Sequence, residues 1–465
     1  MTRDRIHFLF LNIGHYLDHL FTLIFATVAA LALSREWGLS YSELLKYATP
    51  GFFAFGLFSL PAGWLADKWS REGMIVVFFI GIGISSIATA FAQTPLQVGI
   101  GLFIVGMFAA IYHPVGLAIV TQKWKNTGMR LAVNGVWGNL GVASAALITG
   151  YFIDHGGWRT AFVVPGILSI VIGVLYAAHQ WSEVSTAHQK APAAAAAPPA
   201  QSADMKALLL RISAIVFLTT AVSSLVFQST TFALPKIFDE RLQGIATDMT
   251  QWLAASGVAA AKGDIATMVG AFTFIVFAVA SLAQLVVGSL LDRLGPRTVF
   301  MIVAAIQIVF FAVMPGLRDV WALAAAFGFM LGAFGQIPIN DFMIGKMASG
   351  EARARIYGVR YVVSFTVLAL ALPMISFVYG NYGFDTLFRL MASAAAVIFV
   401  AVACLPAKLP TPVAAAASQL LPVIPGRERS RRTRNPSPQM QDWIPGLRPR
   451  GASRNDGITG TVHAA

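Results

Sequence analysis

Apolar runs of roughly 20 residues recur along almost the whole chain and constrain its fold more than any other feature. A run of that length crosses a hydrocarbon core about 30 Å thick as an α-helix. Hydrophobic residues make up 57% of the 465 residues and charged residues only 12%, whereas a soluble domain carries about 25% charged residues. Because long uncharged runs suit helices better than the short alternating strands of a membrane barrel, the sequence predicts an all-α polytopic membrane protein.

Twelve membrane-spanning helices are predicted, six in a first half at residues 1–180 and six in a second half at residues 207–408. Residues 181–206, between the halves, are rich in Pro and Ala and are predicted to be a linker. Residues 409–465 are rich in Pro, Arg and Ser and are predicted to be a disordered basic tail. The predicted spans cover roughly residues 7–33, 45–66, 74–92, 96–120, 130–153, 159–180, 208–236, 264–288, 298–316, 319–345, 356–379 and 384–406.

The cysteine content, the first apolar run and one long loop also bear on the fold. The single cysteine, Cys404, excludes an intramolecular disulfide. The first apolar run is predicted to be an uncleaved span rather than a signal peptide, because polar residues interrupt it and it is too long. The loop before the eighth span, about residues 238–263, is long and is predicted to hold a short amphipathic surface helix near residues 248–252.

Lys and Arg are concentrated in the loops on one side of the predicted bundle, which the positive-inside rule assigns to the cytoplasm. Both termini, the linker and the tail are therefore predicted to be cytoplasmic, in the inner (plasma) membrane of a bacterium-like cell. Part of the net charge of +12 lies in the tail. Beside an anionic leaflet this charge favours contact with the lipid bilayer over nucleic acid. No cofactor is expected, and the chain is expected to act as a monomer.

A ten-residue phrase occurs twice, each time at the end of one apolar run and just before the next. The copies read Gly63-Trp-Leu-Ala-Asp67-Lys-Trp-Ser-Arg71-Glu72 and Gly288-Ser-Leu-Leu-Asp292-Arg293-Leu-Gly295-Pro-Arg297. Further pairs lie at almost the same offset, including Pro114 with Pro338. An even number of spans per half gives the two copies the same orientation, as in the parallel repeats of some transporters. The duplication predicts two homologous membrane halves and a transport function.

The polar residues of this twin phrase are predicted to act in gating. Gly63 and Gly288 permit close approach of neighbouring helices, as small residues do in membranes. Asp67 and Asp292 are placed to meet an adjacent helix N-terminus or a basic loop residue. Such a latch would favour one conformer by about 1–3 kcal/mol. The alternative is that these are ordinary interfacial charges that cap helix ends. The basic residues of the predicted gating motif are Arg71, Arg293 and Arg297.

The twin phrase resembles the loop motif Gly-x-Leu-Ala-Asp-Arg-x-Gly-Arg-Lys of the major facilitator superfamily. The resemblance covers about residues 5–408 and implies two six-helix bundles around a central cavity that opens alternately to the two sides. The first copy departs from the motif at Ser70 and Glu72, and the second has Pro296 before Arg297. The phrase Tyr112-His113-Pro114 also resembles the fosmidomycin-resistance type of exporter. Many drug–proton antiporters of the superfamily carry a Gly-Pro-rich phrase in the fifth span, and the proline is missing here.

His15, Asp18 and His19 lie three and four residues apart in the first span, which places them on one face of a helix. Ionisable groups at membrane depth are costly unless they face a cavity or a partner. The sequence predicts a proton-coupling or substrate site on this face, since imidazole titrates near physiological pH. One alternative is an Asp–His pair that neutralises itself between helices. A metal site is another, but no other His or Cys cluster clearly completes it in the sequence.

Other polar residues interrupt the later spans. His113 precedes Pro114 in the fourth span, where the proline is predicted to kink the helix. Pro338 is a predicted kink in the tenth span. Arg360, in the eleventh span, has three interpretations: its side chain extends to the interface, pairs with Asp341 across helices, or contacts an anionic substrate. The remaining predicted cavity residues are Asn139 in the fifth span and Asn340 in the tenth.

The function predicted from these residues is secondary transport of a small organic solute by alternating access. Proton coupling through Asp18 with His15, His19 or His113 is the predicted mechanism, and export is slightly favoured over uptake. An uncoupled facilitator and an uptake symporter are the nearest alternatives. A membrane-embedded enzyme that uses the same face of the first span belongs to a different class and is not favoured, because it does not explain the duplicated loops. The sequence has no phosphate-binding loop of the Gly-x-x-x-x-Gly-Lys-Ser/Thr type, which disfavours an ATP-driven pump.

Overall fold

The fold was analysed in a computed structural model, and the described part of the chain is helical. The predicted tail at 409–465 and most of the predicted linker at 181–206 lie outside the described residues, so those two predictions stay untested. The structure describes residues 2–124, 127–181, 203–257, 264–347 and 350–406.

Thirteen helices are labelled in chain order. The first, α1, continues through a π-helical turn at Ala29–Leu33 to a short end at Ser34–Glu36. The eighth begins inside the stretch predicted as linker. The bounds are α1 Arg3–Val28, α2 Tyr41–Lys68, α3 Arg71–Ala90, α4 Pro95–Ala109, α5 Tyr112–Lys123, α6 Thr127–Gly156, α7 Trp158–His179, α8 Ala203–Arg241, α9 Gln243–Ala255, α10 Ile265–Leu294, α11 Pro296–Val313, α12 Asp319–Met347 and α13 Gly350–Ala403.

The number of membrane crossings agrees with the prediction. Within the described ranges, 10 helical segments are long and apolar enough to cross a membrane. The 28-residue α2 is also long enough to cross, at about 42 Å. The 54-residue α13 is about 80 Å long at 1.5 Å per residue, more than two bilayer cores. Its Gly383 leaves the helical region with φ 73°, so α13 is two helices and two spans. The all-α, twelve-span fold class is therefore confirmed.

One predicted span has a break that its apolar run did not show. The fourth span is divided into α4 and α5, which are separated by residues 110 and 111. Pro114, early in α5, has no N–H to donate to the carbonyl four residues earlier, and that carbonyl belongs to Ala110 in the break. By contrast, α12 is helical on both sides of Pro338. The loop before the eighth span holds α9, as predicted.

The departures of the two loops from the family motif have a local explanation at the start of the next helix. Ser70 is the N-cap of α3, and its hydroxyl accepts the N–H of Gly73 at 3.0 Å. In the second copy Gly295 has φ 78°, and Pro296 is the first residue of α11. Serine is a favoured N-cap residue, glycine also occurs at the N-cap, and proline is favoured as the first residue of a helix. The same loop is therefore built with different residues in the two halves.

The two halves meet mainly where α6 packs on α10 and α2 packs on α13. The crossing of α6 and α10 requires glycine on both helices. A Cβ on Gly150 would lie 2.2 Å from the carbonyl oxygen of Ala266, and one on Gly270 would lie 2.4 Å from that of Ala146. Small residues allow this backbone approach in membrane bundles. These contacts bring the halves together near the loops opposite the twin phrase.

Candidate functional site

Three histidines and one aspartate come together between α1 and α5. His15 and His19 are one turn apart on α1, and His113 is the second residue of α5. One ring nitrogen from each histidine lies within 4.8 Å of the others. The ring centroids of His15 and His113 are 5.2 Å apart, and those of His19 and His113 are 5.5 Å apart. We call these three residues and Asp18 the histidine–aspartate cluster.

Asp18 is the most constrained member of the cluster. Its side chain is fully buried, and its Oδ2 lies 3.4 Å from Nε2 of His113, within the range of a charge interaction. Apart from this contact with His113, neither carboxylate oxygen has a hydrogen-bond partner among the residues that the structure describes. An ionised carboxylate in an apolar interior is costly unless a positive charge or hydrogen bonds compensate it. A proton, a protonated His113 or a bound cation would each supply that compensation.

His15 is held in one orientation by α6. Its Nδ1 lies 2.8 Å from the carbonyl oxygen of Asn134. Because a carbonyl oxygen only accepts, Nδ1 carries the hydrogen and the neutral ring keeps its lone pair on Nε2. A Cβ at position 138 would lie 2.7 Å from that Nε2, so Gly138 leaves the space beside it. Asn134 and Gly138 are one turn apart on α6 and therefore face His15 together.

Tyr112 and Asn134, which were not predicted as site residues, hold α1 against its neighbours. Tyr112 Oη donates a hydrogen bond to the carbonyl oxygen of Leu11 at 2.6 Å, and its ring stacks on that of His15. Asn134 Nδ2 donates to Oδ1 of Asn12 at 3.0 Å and contacts Tyr112 Oη at 2.9 Å. The bonds to Leu11 and Asn12 join segments more than 100 residues apart, which spacing along the sequence does not reveal.

The second half contains the same framework without the ionisable groups. Gln336 stands two residues before Pro338, as Tyr112 stands two before Pro114. Its Nε2 donates to the carbonyl oxygen of Ser223 at 3.0 Å, the counterpart of the bond from Tyr112 to Leu11. Aligning the two halves by these two hydrogen bonds pairs His15 with Phe227, Asp18 with Thr230, His19 with Thr231 and His113 with Ile337. A bundle of this fold therefore forms without the cluster.

The predicted cavity residues of the second half lie apart from the cluster, on α12 and α13. Arg360 Nη1 is bonded to Oδ1 of Asp341, which is the interhelical pair among the three interpretations of Arg360. Asn340 is buried, and its Nδ2 lies 3.5 Å from the carbonyl oxygen of Gln336 one turn earlier. In the first half, Asn139 is half-buried on α6, next to Gly138.

The first copy of the gating motif is bonded within its own half. Arg71 donates to Oδ1 of Asp67 through Nη2 at 2.6 Å, and it also bonds Gln122 at the end of α5. The exposed fraction of the Asp67 side chain is 62%. A Cβ on Gly63 would contact Pro114 at 3.4 Å, so this glycine faces α5.

The second copy is arranged differently. Arg297 Nη2 donates to the carbonyl oxygen of Ala403 at 2.9 Å, which stabilises the end of α13. Asp292 and Arg293 are exposed at the end of α10. A Cβ on Gly288 would meet nothing within 4 Å.

The hydrogen bonds that cross between the halves lie at the other end of the bundle, as far as fully described side chains show. Asp154, at the end of α6, accepts both the N–H and the hydroxyl of Thr267 with its Oδ2, each at 2.6 Å. Ser376 Oγ donates to the carbonyl oxygen of Ser42 at 2.6 Å. Arg35 lies 3.4 Å from Asp239. Together these bonds hold the halves closed on the side opposite the twin phrase.

Comparison with known families gives one extended match. The sequence model of the Major Facilitator Superfamily matches residues 11–266 and 244–444. These two segments take in both halves and both copies of the twin phrase.

Individual relatives match more locally. The gallate transporter of Pseudomonas putida is 21% identical over 31% of this chain and 32% of its own length. The 4-hydroxybenzoate transporter PcaK of Pseudomonas putida is 26% identical over 34% and 36%. The niacin transporter NiaP of Acinetobacter baylyi is 27% identical over 35% and 38%. The matched part of the chain thus spans about a third of the length of these curated relatives.

Solved structures share the fold over most of the chain. The nucleoside transporter NupG superposes with a TM-score of 0.64 at 17% identity, covering 86% of this chain and 99% of that one. A bacterial homologue of the human lysosomal transporter Spinster, in an inward-facing conformation, gives 0.60 at 14% identity, covering 87% and 94%. At these identities the likeness establishes the fold and nothing further.

Proposed function

The chain belongs to the major facilitator superfamily, and we propose that it moves a small organic solute across a membrane by alternating access. The fold shared with solved transporters supports this proposal. The relatives that match it locally are named for gallate, 4-hydroxybenzoate and niacin, all small organic acids. Small organic acids are therefore the first solutes to test.

We further propose that transport is coupled to protons through the histidine–aspartate cluster. The observation that carries this step is Asp18, a fully buried carboxylate whose one polar neighbour among the described residues is His113, at 3.4 Å. Such a group is stable when neutralised and unstable when left charged and alone. Taking up and releasing one proton would therefore change how strongly α1 and α5 attract each other. A change of this kind can bias the two conformers of a transporter.

Alternating access assigns roles to the remaining predicted elements. The bundles at 1–180 and 207–408 would rock against each other as a monomer, and the contacts of α6 with α10 and α2 with α13 would open in the opposite conformer. The polar residues of the twin phrase, among them Asp67, which pairs with Arg71 within the first half, would act in gating by favouring one of the two conformers. Positively charged loops support a cytoplasmic location for both termini, in a bacterial inner membrane. The resemblance of Tyr112-His113-Pro114 to resistance exporters supports export in exchange for protons.

Reconstituted proteoliposomes with an imposed pH gradient test the coupling. Labelled gallate, 4-hydroxybenzoate and niacin are the first solutes, and vesicles of both orientations give the direction. We expect the wild type to accumulate its solute against a concentration gradient. Asp18→Asn should abolish accumulation but retain exchange of solute between the two sides, because the neutral side chain mimics one protonation state.

The matched control is Asp248→Asn, which changes an exposed aspartate on α9. It should accumulate solute as the wild type does. Accumulation by Asp18→Asn that still follows the pH gradient would refute proton coupling through the cluster. Failure of the wild type to move any organic solute in either orientation would refute the transport proposal itself.

A further inference from the structure

We propose that His15, His19 and His113 form a binding site for a divalent transition-metal ion of the Zn²⁺ class. The sequence offered two histidines one turn apart on α1 and no third imidazole near them. The structure brings His113 of α5 to this face, with one nitrogen of each ring within 4.8 Å of the others. Three histidines from two packed helices are a common ligand set for zinc.

The spacing of the nitrogens is close to what a metal requires. Zn²⁺ binds imidazole nitrogen at about 2.0–2.1 Å in tetrahedral geometry, which places ligand nitrogens about 3.4 Å apart. The observed limit of 4.8 Å leaves at most about 1.5 Å to be closed by rotation of the side chains. His19 and His113 are less buried than His15, and the exposed fraction of the His113 side chain is 16%.

His15 has the supporting contact typical of a metal ligand. Its Nδ1–H donates to the carbonyl oxygen of Asn134 at 2.8 Å, which leaves the lone pair on Nε2. Histidines that bind metals usually donate their other N–H in this way, and the contact fixes the ring and its tautomer. Gly138 packs on the ring of His15, where a Cβ would lie 2.7–2.9 Å from Nε2, Cε1 and Cδ2, so a glycine at this position leaves room for the imidazole. The contact with Asn134 therefore sets the tautomer in which Nε2 can bind a metal.

An independent observation comes from Asp18. Apart from His113, at 3.4 Å, this fully buried carboxylate has no hydrogen-bond donor among the described residues. Carboxylate, histidine and metal often form a chain in which the carboxylate orients the ring and balances the charge of the ion. A dication held by the three imidazoles would compensate the buried negative charge. Nitrogen ligands favour Zn²⁺, Co²⁺, Ni²⁺ or Cu²⁺ over Mg²⁺ and Ca²⁺, which prefer oxygen.

Direct metal binding to the full chain tests this inference. The protein is purified in detergent without a polyhistidine tag, treated with a chelator and titrated with Co²⁺, whose visible absorption reports nitrogen ligands. Zn²⁺ is then added to displace it. We expect one saturable Co²⁺ per chain. His19→Gln should weaken binding by at least about tenfold, since even the loss of a supporting contact costs 10–100-fold.

Two further variants make the result interpretable. His155→Gln changes an exposed histidine at the end of α6 and should bind Co²⁺ as the wild type does. Asp18→Asn should weaken binding while leaving the three imidazoles in place. Thermal unfolding without metal checks that each variant is folded. Absence of one-to-one binding in the wild type, or wild-type affinity in folded His19→Gln, would overturn the proposal.

The inference rests on the proposed transport function only in using the same cluster, and the two can fail separately. Metal binding is measured in detergent, without a gradient or an organic solute. Intact Co²⁺ binding beside pH-independent transport would refute proton coupling and keep the metal site. Gradient-driven accumulation without Co²⁺ binding would refute the metal site and keep the coupling.

Discussion

The crossing of α6 and α10 gives the sharpest structural prediction, the substitution Gly150→Ala. The new Cβ would lie 2.2 Å from the carbonyl oxygen of Ala266 and 3.1 Å from the backbone nitrogen of Thr267. Backbone atoms cannot rotate away, so the helices must separate by about 1 Å to restore a normal contact. Asp154 is one turn further along the same face, and its 2.6 Å bond to Thr267 would lengthen to about 3.6 Å, beyond hydrogen-bond range.

The energetic effect of Gly150→Ala falls on one conformer. Overpacking a tight contact costs about 1–3 kcal/mol, and the lost bond to a charged group adds a cost of similar size. Both contributions apply only while the halves are closed at this end. Together they amount to about 2–6 kcal/mol, so the equilibrium should move towards the opposite conformer by at least about 30-fold. Helix propensity does not oppose this shift, because the preference of Ala over Gly, about 1 kcal/mol, applies to α6 in both conformers.

Distances between spin labels measure this shift. Labels are attached after Phe91→Cys and Trp321→Cys, two exposed positions near the closed end, with Cys404 replaced by serine. We expect the distance distribution to lengthen in Gly150→Ala. The control is Gly135→Ala, on the same helix, where a Cβ meets nothing within 4 Å. An unchanged distribution in folded Gly150→Ala would show that these contacts do not hold the conformer.

Three further predictions concern stability and are checked by thermal unfolding in detergent. Ser70→Ala removes the N-cap of α3 and should cost about 1 kcal/mol, while Ser70→Gly should cost only a few tenths; equal losses would contradict the capping role. Tyr112→Phe removes the bond to the Leu11 carbonyl and should cost about 1–3 kcal/mol; an unchanged midpoint would show that the bond contributes nothing. Asp18→Thr, which copies Thr230 of the second half, should raise the unfolding midpoint, and a large fall would indicate a structural role.

Much of the fold could be predicted because each element is encoded locally. Every apolar run of sufficient length became a helix, and α9 appeared in the loop where an amphipathic helix was predicted. One break was harder to place. The break at Gly383 falls between the predicted spans at 356–379 and 384–406, but the division of α4 from α5 lies inside one apolar run and next to a single residue, Pro114. An apolar average over 20 residues does not resolve such positions.

The candidate site could be predicted only along one helix. Spacings of three and four residues place His15, Asp18 and His19 on one face of α1 without any tertiary information. The approach of His113 and the bond from His15 to Asn134 depend on how α5 and α6 pack against α1. Packing of segments 100 residues apart is a tertiary property. For this reason the sequence placed only two imidazoles of the proposed metal site together, and the third, that of His113, lies beside them only in the folded structure.

Comparison of the two halves indicates which polar residues the fold needs and which serve function. Both halves use a polar side chain on the fourth helix of the bundle to bind the backbone of the first, Tyr112 to Leu11 and Gln336 to Ser223. At the positions of the cluster, however, the second half has Phe, Thr, Thr and Ile. Since that half packs with neutral residues there, the buried charge of Asp18 is not needed for the fold. We expect this charge to lower the stability of the first half, which Asp18→Thr tests, and binding or coupling is the role that we propose for it.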